Sequence, residues 1–190
     1  MKELNKNFYA FGNMNVLLRD EELLKLAREA GCISWFVGFE SISQETINNL
    51  GKTSNKVDNY KLCVNKIHDH DMSVIGAFIF GFDTDTRDVF EKTKDMIYDL
   101  GIDVVEVTNL TPYPGTPLYE KLDKQGRILT KDWSKYLERG EVVFQPKNMS
   151  PTELRDKTLD VYFEFQSMSS IIKRLPKNKK IIKRLLSHFI

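Results

Sequence analysis

The hydrophobic pattern of the first two-thirds of the chain alternates short apolar runs with longer amphipathic segments. The short runs are rich in β-branched and aromatic residues, and they are apolar at successive positions, as strands covered on both faces are. Their alternation with segments of helical periodicity predicts βα units and a parallel sheet. The predicted strands are Phe8–Leu17, Ile33–Glu40, Ser73–Phe82 and Asp103–Leu110.

Capping residues and apolar stripes predict helices between these strands. Asp20 is a candidate N-cap for a helix over Glu21–Ala30, and Gly31 supplies the left-handed residue that ends it. Three further helices are predicted. The first follows a capping box that begins at Ser41 and runs through Leu50, the second lies near Val57–His68, and the third runs from Thr84 or Thr86 to Leu100.

The strand-helix repeat stops after the fourth strand. The segment Thr111–Pro117 contains three prolines, which predicts a rigid loop. Leu118–Leu122 is predicted to be a short helix and Gly140–Phe144 a short extended segment. A cap and a proline at Ser150 and Pro151 then predict the start of a long helix that Pro176 ends.

Composition indicates a globular protein, with 41% hydrophobic and 29% charged residues. The apolar runs are far shorter than the roughly 20 residues of a membrane span, and the first residues show no signal-peptide pattern, so we expect a cytoplasmic protein. The two cysteines, Cys32 and Cys63, have neither a disulfide framework nor zinc-knuckle spacing, which predicts buried free thiols.

The C-terminal segment is strongly basic, because Phe165–Ile190 contains seven basic residues and no acidic one. Past Pro176 its apolar and basic positions fall on different helical faces, the pattern of an amphipathic surface helix. Such a helix could lie on a membrane surface, or it could cover the open side of the sheet or a partner subunit, and the second reading is the commoner case. A nucleic-acid partner is not expected, because no recognisable binding module is present.

Candidate binding residues lie where each strand ends, since ligands bind at the carboxyl ends of parallel strands. Gly38 and Glu40 share one face, so a ligand could approach the backbone beneath a carboxylate that accepts hydroxyl hydrogen bonds, as a ribose would require. The alternative is that Glu40 only begins a helix cap. Ile79 and Gly81 continue a face of decreasing bulk that could hold an aromatic base or simply pack in the core. Asn109 and Thr111 could bind through amide and hydroxyl groups or only shape a turn.

His68, Asp69, His70 and Asp71 have the composition of a metal site. They precede a strand, however, and therefore lie at the face of a βα fold that serves stability, so a metal site is not expected there. The chain also has no phosphate-binding glycine loop, nucleophile elbow or His-Glu-x-x-His helix, and hydrolase activity has no support.

Three ordered motifs resemble the latter half of the radical S-adenosylmethionine enzymes, especially those with an upstream cobalamin-binding domain, such as hopanoid-biosynthesis and anaerobic-cyclase-like members. The motifs are Gly38–Ser41 followed by Leu50-Gly51-Lys52 and Asn55, then Gly76–Thr86, then Leu110–Leu118. The resemblance implies an α/β fold in which residues 1–122 form half of a partial (β/α) barrel of about four parallel strands. Residues 123–190 would form a helical C-terminal extension with a basic tail.

By this resemblance the residues that contact S-adenosylmethionine fall at strand ends. Glu40 and Ser41 stand where the family contacts ribose, Ile79 and Gly81 match its adenine strand, and Asn15 belongs to its third βα unit. Asn109, Thr111 and Pro112 match its sixth-strand adenine contact. One departure is that the first glycine of the adenine motif aligns with Ala77, or with Gly76 only if the match is shifted by one residue.

The family's CxxxCxxC motif, which binds a [4Fe-4S] cluster, is absent from this chain. The resemblance therefore implies the C-terminal portion of an enzyme whose cluster ligands lie elsewhere and whose upstream domain could hold cobalamin. Such a portion is not expected to be active alone, and its catalytic residues are unknown. Its expected partners are the missing N-terminal half of the barrel, a small-molecule or lipid-like substrate, and further copies of itself through an open sheet edge. The alternative is a cofactor-free βα module with an interaction or regulatory role.

Overall fold

The computed structural model describes residues 6–52 and 55–174. Its centre is a parallel sheet of four strands in the order β1-β2-β3-β4, which confirms the predicted α/β class. The strands are β1 (Phe8–Gly12), β2 (Cys32–Glu40), β3 (Ser73–Phe80) and β4 (Val104–Asn109). Each strand therefore pairs with its predecessor in the chain.

Helices connect the strands and form the C-terminal region. They are α1 (Met14–Arg19), α2 (Glu21–Glu29), α3 (Gln44–Asn49), α4 (Tyr60–Asp69), α5 (Val89–Leu100), α6 (Pro117–Lys124), α7 (Pro151–Gln166) and α8 (Met168–Arg174). Short 3-10 turns occupy Val57–Asn59 and Trp133–Lys135. None of the helices within the described ranges is long and apolar enough to cross a membrane.

The first predicted strand is too long. β1 ends at Gly12, and the Asn13 side chain accepts a hydrogen bond of 3.0 Å from the backbone N–H of Asn15 and thereby caps α1. The run from Met14 to Leu17 is apolar enough to fit the period of a strand or that of a helix, and the cap at Asn13 favours the helix. The prediction at Asp20 is confirmed, because its Oδ1 accepts the Leu23 N–H at 2.8 Å.

Three other predicted helix boundaries shift in the structure. The N-cap of α3 is Ser43, whose hydroxyl accepts the Thr46 N–H at 3.3 Å, and not Ser41. α5 begins at Val89, later than either predicted threonine. The predicted long helix is two helices, because Ser167 adopts an extended conformation and its hydroxyl donates to the Glu164 carbonyl at 2.7 Å. The basic segment after Pro176 and part of the predicted break at 52–55 lie outside the described residues.

One face of the sheet is covered by helices. Phe78 and Phe80 of β3 pack there in a single core with Phe144, Leu154 and Phe165 of the C-terminal region. The Gly140–Phe144 segment makes only an isolated antiparallel bridge, between Phe144 and Ile128. The extension therefore shares the core of the sheet.

The other face is open, and we call it the open face. It carries Phe36 and Gly38 of β2 and Ile75, Ala77 and Ile79 of β3, all of them half-buried. The expectation that the strands are covered on both faces therefore holds for one face only of the described part of the chain.

Candidate cofactor site

A β-bulge places Glu40 at the end of β2. The register with β3 shifts between Gly38 and Glu40, and Glu40 adopts a left-handed backbone conformation with φ +65°. Bulges of this kind re-aim side chains beside functional sites. The carboxylate folds back over Gly38, where a Cβ atom would lie 2.5 Å from Glu40 Oε1. The prediction that these two residues share a face is confirmed, and Gly38 provides the space that the carboxylate occupies.

Lys52 forms an ion pair with Glu40. The side chain of Glu40 is 15% exposed and that of Lys52 is 45% exposed, so the pair lies at the mouth of the site and remains accessible. Lys52 belongs to the second segment of the first motif, but its distance from Glu40 along the chain does not predict that the two side chains pair.

Ser41 points into the protein and is 4% exposed. Its hydroxyl accepts the Ser43 N–H at 3.1 Å. Tyr60 supports the same turn, since its hydroxyl lies 2.8 Å from the Phe39 carbonyl and 2.9 Å from that of Ser41. Burial raises the pKa of Tyr60, so its hydroxyl remains a donor. The bulge is thus held from beneath by a buried hydrogen bond.

Two cavities adjoin Glu40, with volumes of about 290 Å³ and 470 Å³. Phe11, Phe36, Gly38 and Glu40 line both. Asn13 lines the smaller cavity with Lys52 and Asn55, whereas Asn15 does not line it. The capping role of Asn13 could have been predicted from its position before an apolar stretch.

The two predicted adenine-contact residues at the end of β3 face different parts of the protein. Ile79 lines the larger cavity. Gly81 has φ +110°, and a Cβ there would lie 2.6 Å from Leu154 Cδ2, so this position faces α7. The loop after it is anchored by the buried Asp85, whose Oδ2 accepts the N–H groups of Gly81 and Phe82 at 2.8 and 3.0 Å.

The Asp85 anchor predicts a pH-dependent stability. Burial raises the pKa of Asp85 to about 6, although two backbone hydrogen bonds oppose the shift. Because the folded protein holds this proton more tightly than the unfolded chain does, the contribution is complete below about pH 4 and is lost as pH rises through 6. We expect the unfolding free energy of the wild type, relative to Asp85→Asn, to fall by about 2 kcal/mol between pH 4 and 7.

Urea unfolding of both proteins across this pH range measures the difference. Asp83→Asn is the matched control, because hydrogen bonding to Arg127 lowers the pKa of Asp83 below its usual value, so this difference should stay nearly flat between pH 4 and 7. A wild-type-to-Asp85→Asn difference that is flat with pH would contradict the prediction.

The predicted residues at the end of β4 lie beneath the extension. Asn109 is 3% exposed, and its Nδ2 lies 3.5 Å from the Gly140 carbonyl. Its Oδ1 has no hydrogen-bond partner within the described part of the chain. The Thr111 hydroxyl donates to the Asn109 carbonyl at 3.2 Å, and Pro112 is buried. The structure therefore brings Glu40 and Ile79 to the open face, and it turns Asn109 and Gly81 toward the C-terminal region.

The residues present do not fit an iron-sulfur cluster. Both cysteines are buried and free, and burial raises the pKa of Cys63 to about 12 and also that of Cys32. Neutral thiols of this kind are poor metal ligands. No group of three His, Cys, Asp or Glu side chains that could hold a metal ion occurs among residues 6–52 and 55–174. His68 instead lies 2.8 Å from Asp103, which also accepts the Val74 N–H.

The fold matches part of radical S-adenosylmethionine proteins of known structure. The structure of the radical S-adenosylmethionine methyltransferase TsrM from Kitasatospora setae, with cobalamin and a [4Fe-4S] cluster bound, superposes with a TM-score of 0.56. The match covers 78% of this chain and 30% of that one at 19% sequence identity. No protein-family model matches the chain.

Proteins of similar sequence indicate which radical S-adenosylmethionine proteins the chain is related to. The chain is 33% identical over 175 residues to bacteriochlorophyllide d C-12(1)-methyltransferase of Chlorobaculum tepidum, across 92% of this chain and 38% of that protein. It is 31% identical over 147 residues to the anaerobic magnesium-protoporphyrin IX monomethyl ester cyclase of Cereibacter sphaeroides, across 77% of this chain and 23% of that protein. The chain is therefore homologous to radical S-adenosylmethionine methyltransferases and cyclases, and it spans well under half the length of these relatives.

Proposed function

We propose that the chain is the C-terminal, S-adenosylmethionine-binding portion of a radical enzyme that methylates or rearranges a small molecule. In such enzymes S-adenosylmethionine supplies the radical or methyl-donor chemistry, and the protein binds and orients the reactants. The observation that carries the proposal is the bulge that folds the Glu40 carboxylate over Gly38 at the end of β2. A partly exposed carboxylate held over Gly38 suits a ribose, because the two adjacent ribose hydroxyls can both donate to the carboxylate.

Each residue of the site has a distinct role in this proposal. Glu40 accepts from the ribose, Lys52 keeps the carboxylate oriented until a ligand arrives, and Ile79 offers an apolar surface to the adenine. Ser41 and Tyr60 act by holding the bulge. The other predicted residues remain proposed contributors to cofactor binding through the loops that they shape. They are Asn15, Gly81, Asn109, Thr111 and Pro112.

The proposal also includes partners. Among the described residues β1 stands at one end of the strand order, and a parallel strand of a missing N-terminal half is the partner we propose for its outer edge. That half would carry the cluster ligands, and an upstream domain would carry cobalamin. The alternative is that the same edge of β1 pairs with a second copy of the chain. We retain a cytoplasmic location as a proposal, with the basic segment after Pro176 as the part that would contact a membrane surface.

Titration of the 190-residue chain with adenosine, followed by backbone amide NMR, tests the site. We expect saturable shifts at Gly38–Ser41 at millimolar adenosine. Glu40→Ala should weaken this binding about 10- to 100-fold, because a hydrogen bond to a charged group contributes about 1.5–3 kcal/mol. Glu45→Ala, which removes an exposed carboxylate on the first turn of α3, should leave the binding unchanged.

The ligand offers a second control. 2′,3′-Dideoxyadenosine lacks both ribose hydroxyls, so it should bind the wild type as weakly as adenosine binds Glu40→Ala. Equal binding of adenosine to wild type and Glu40→Ala would remove the proposed role of the carboxylate. Absence of adenosine binding to the wild type would favour the cofactor-free module.

A further inference from the structure

An aromatic strip crosses the open face at its β1 end. Tyr9 and Phe11 are 58% and 72% exposed, although both are large apolar side chains. The ring centroids of Tyr9 and Phe11 are 5.9 Å apart. Phe11 and its cross-strand partner Phe36 have centroids 4.8 Å apart and ring planes tilted by 37°. The three rings therefore form one continuous exposed surface.

The strip is one end of the larger cavity described above. Between the strip and the far end of the cavity, Ile75 and Ala77 of β3 form an apolar floor that reaches Glu106 of β4 and Glu138 of the extension, whereas Ile79 lies at the end of β3 that we assign to the adenine. Neighbouring strands are about 4.8 Å apart, so the β1 and β4 ends of this groove are separated by roughly 14 Å. A ligand that fills the groove would place one end on the rings and the other among charged side chains.

The charged end carries more carboxylates than cations. Arg139 is already engaged, since its Nη1 lies 2.8 Å from Glu106 and its guanidinium lies 4.7 Å from the centre of the Tyr162 ring. Glu138 adds a further carboxylate, and burial and then the charge of Glu138 raise the pKa of Tyr113. The end formed by Glu106, Glu138 and Arg139 therefore has a net charge of −1 at neutral pH, counted from the formal charges of these side chains. It favours a cation and repels an anion.

We propose that this groove binds the substrate, and that the substrate is a flat unsaturated ring system carrying an amine. The ring stacks on Phe11 and Phe36, which lie one step along the open face from Gly38 and Glu40. The amine lies toward Glu138. This inference rests on the proposed function, because it takes the Glu40 end of the same face as the cofactor position. Flat rings gain from stacking on exposed aromatic side chains beyond the area they bury.

Fluorescent probes test the proposal on the 190-residue chain. 1-Pyrenemethylamine should bind at least tenfold more tightly than 1-pyrenebutyrate, and 1-adamantylmethylamine, a saturated cage, should compete poorly with it. Phe11→Ala should weaken binding of the pyrene amine about tenfold. Phe163→Ala, which removes an equally bulky ring that is 64% exposed on α7, should have no effect. Glu138→Gln should reduce the preference for amine over carboxylate to within about threefold.

The groove has other conceivable occupants, and the same measurements separate them. Unchanged affinity of the pyrene amine in Phe11→Ala would mean that the strip only packs against an adjoining polypeptide, which overturns the proposal. Equal affinity for the adamantyl amine would assign the groove to saturated, lipid-like groups and would also overturn it. The cofactor proposal fails independently, because it is read from adenosine binding. Phe11→Ala should retain adenosine binding, and Glu40→Ala should lose it.

Discussion

Phe144→Ala should be among the most destabilising single substitutions in the chain, with a loss of about 3–5 kcal/mol in the free energy of unfolding. Phe144 is fully buried and belongs to the core that the extension shares with the sheet. Its ring lies near the end of β3, where a Cβ at Gly81 would be 3.4 Å from Phe144 Cζ. Removing the ring leaves a cavity between the extension and the loop that follows β3.

Urea unfolding followed by circular dichroism measures this effect, and Phe163→Ala is the matched control. Phe163 is 64% exposed, so its removal should change stability by less than about 0.5 kcal/mol. A loss below 1 kcal/mol for Phe144→Ala would mean that the extension contributes little to the core. Two separate transitions in the wild type would mean the same.

Gly81→Ala should cost about 2–4 kcal/mol, for two independent reasons. The backbone at Gly81 has φ +110°, which L-residues avoid, and the new methyl group would lie 2.6 Å from Leu154 Cδ2. Gly115→Ala separates these reasons, because Gly115 has φ +81° and nothing within 4 Å of its virtual Cβ, so only the backbone cost of about 1 kcal/mol applies.

A double-mutant cycle isolates the packing part. In a Leu154→Ala background the clash is gone, and Gly81→Ala should then cost about as much as Gly115→Ala. Equal losses for Gly81→Ala and Gly115→Ala in the wild-type background would show that the contact with Leu154 relaxes freely. Unfolding free energies of the four proteins of the cycle, with Gly115→Ala beside them, give the answer.

The strands could be predicted because the residues that specify each one are contiguous in the sequence. Cys32–Glu40 and Ser73–Phe80 were predicted to within two residues at each end, since β-branched and aromatic runs bounded by turn residues specify them. Boundaries that depend on one cap, such as Ser43 in place of Ser41, were missed, because two serines two residues apart are equivalent caps in sequence.

The site was only partly predictable, for a different physical reason. That Gly38 and Glu40 share a face follows from the period of a strand, and the bulge preserves it at the strand end. The Lys52 ion pair joins residues whose proximity is set by α3 and the turns at its two ends, which sequence periodicity does not encode. The orientation of Gly81 and Asn109 toward the extension depends on packing by Leu154 and the 138–140 segment, far along the chain.

The strand order has a consequence for how the chain acquires its structure. Because each strand pairs with the one synthesised just before it, the sheet can grow from its amino end as the chain emerges, and no strand must wait for a distant partner. Phe144, Leu154 and Phe165 follow all four strands in the chain, so we expect their contacts with the sheet to form last. Until they form, the loop after β3 lacks its cover, so the rate-limiting step of folding should involve the docking of α7 and not the pairing of strands.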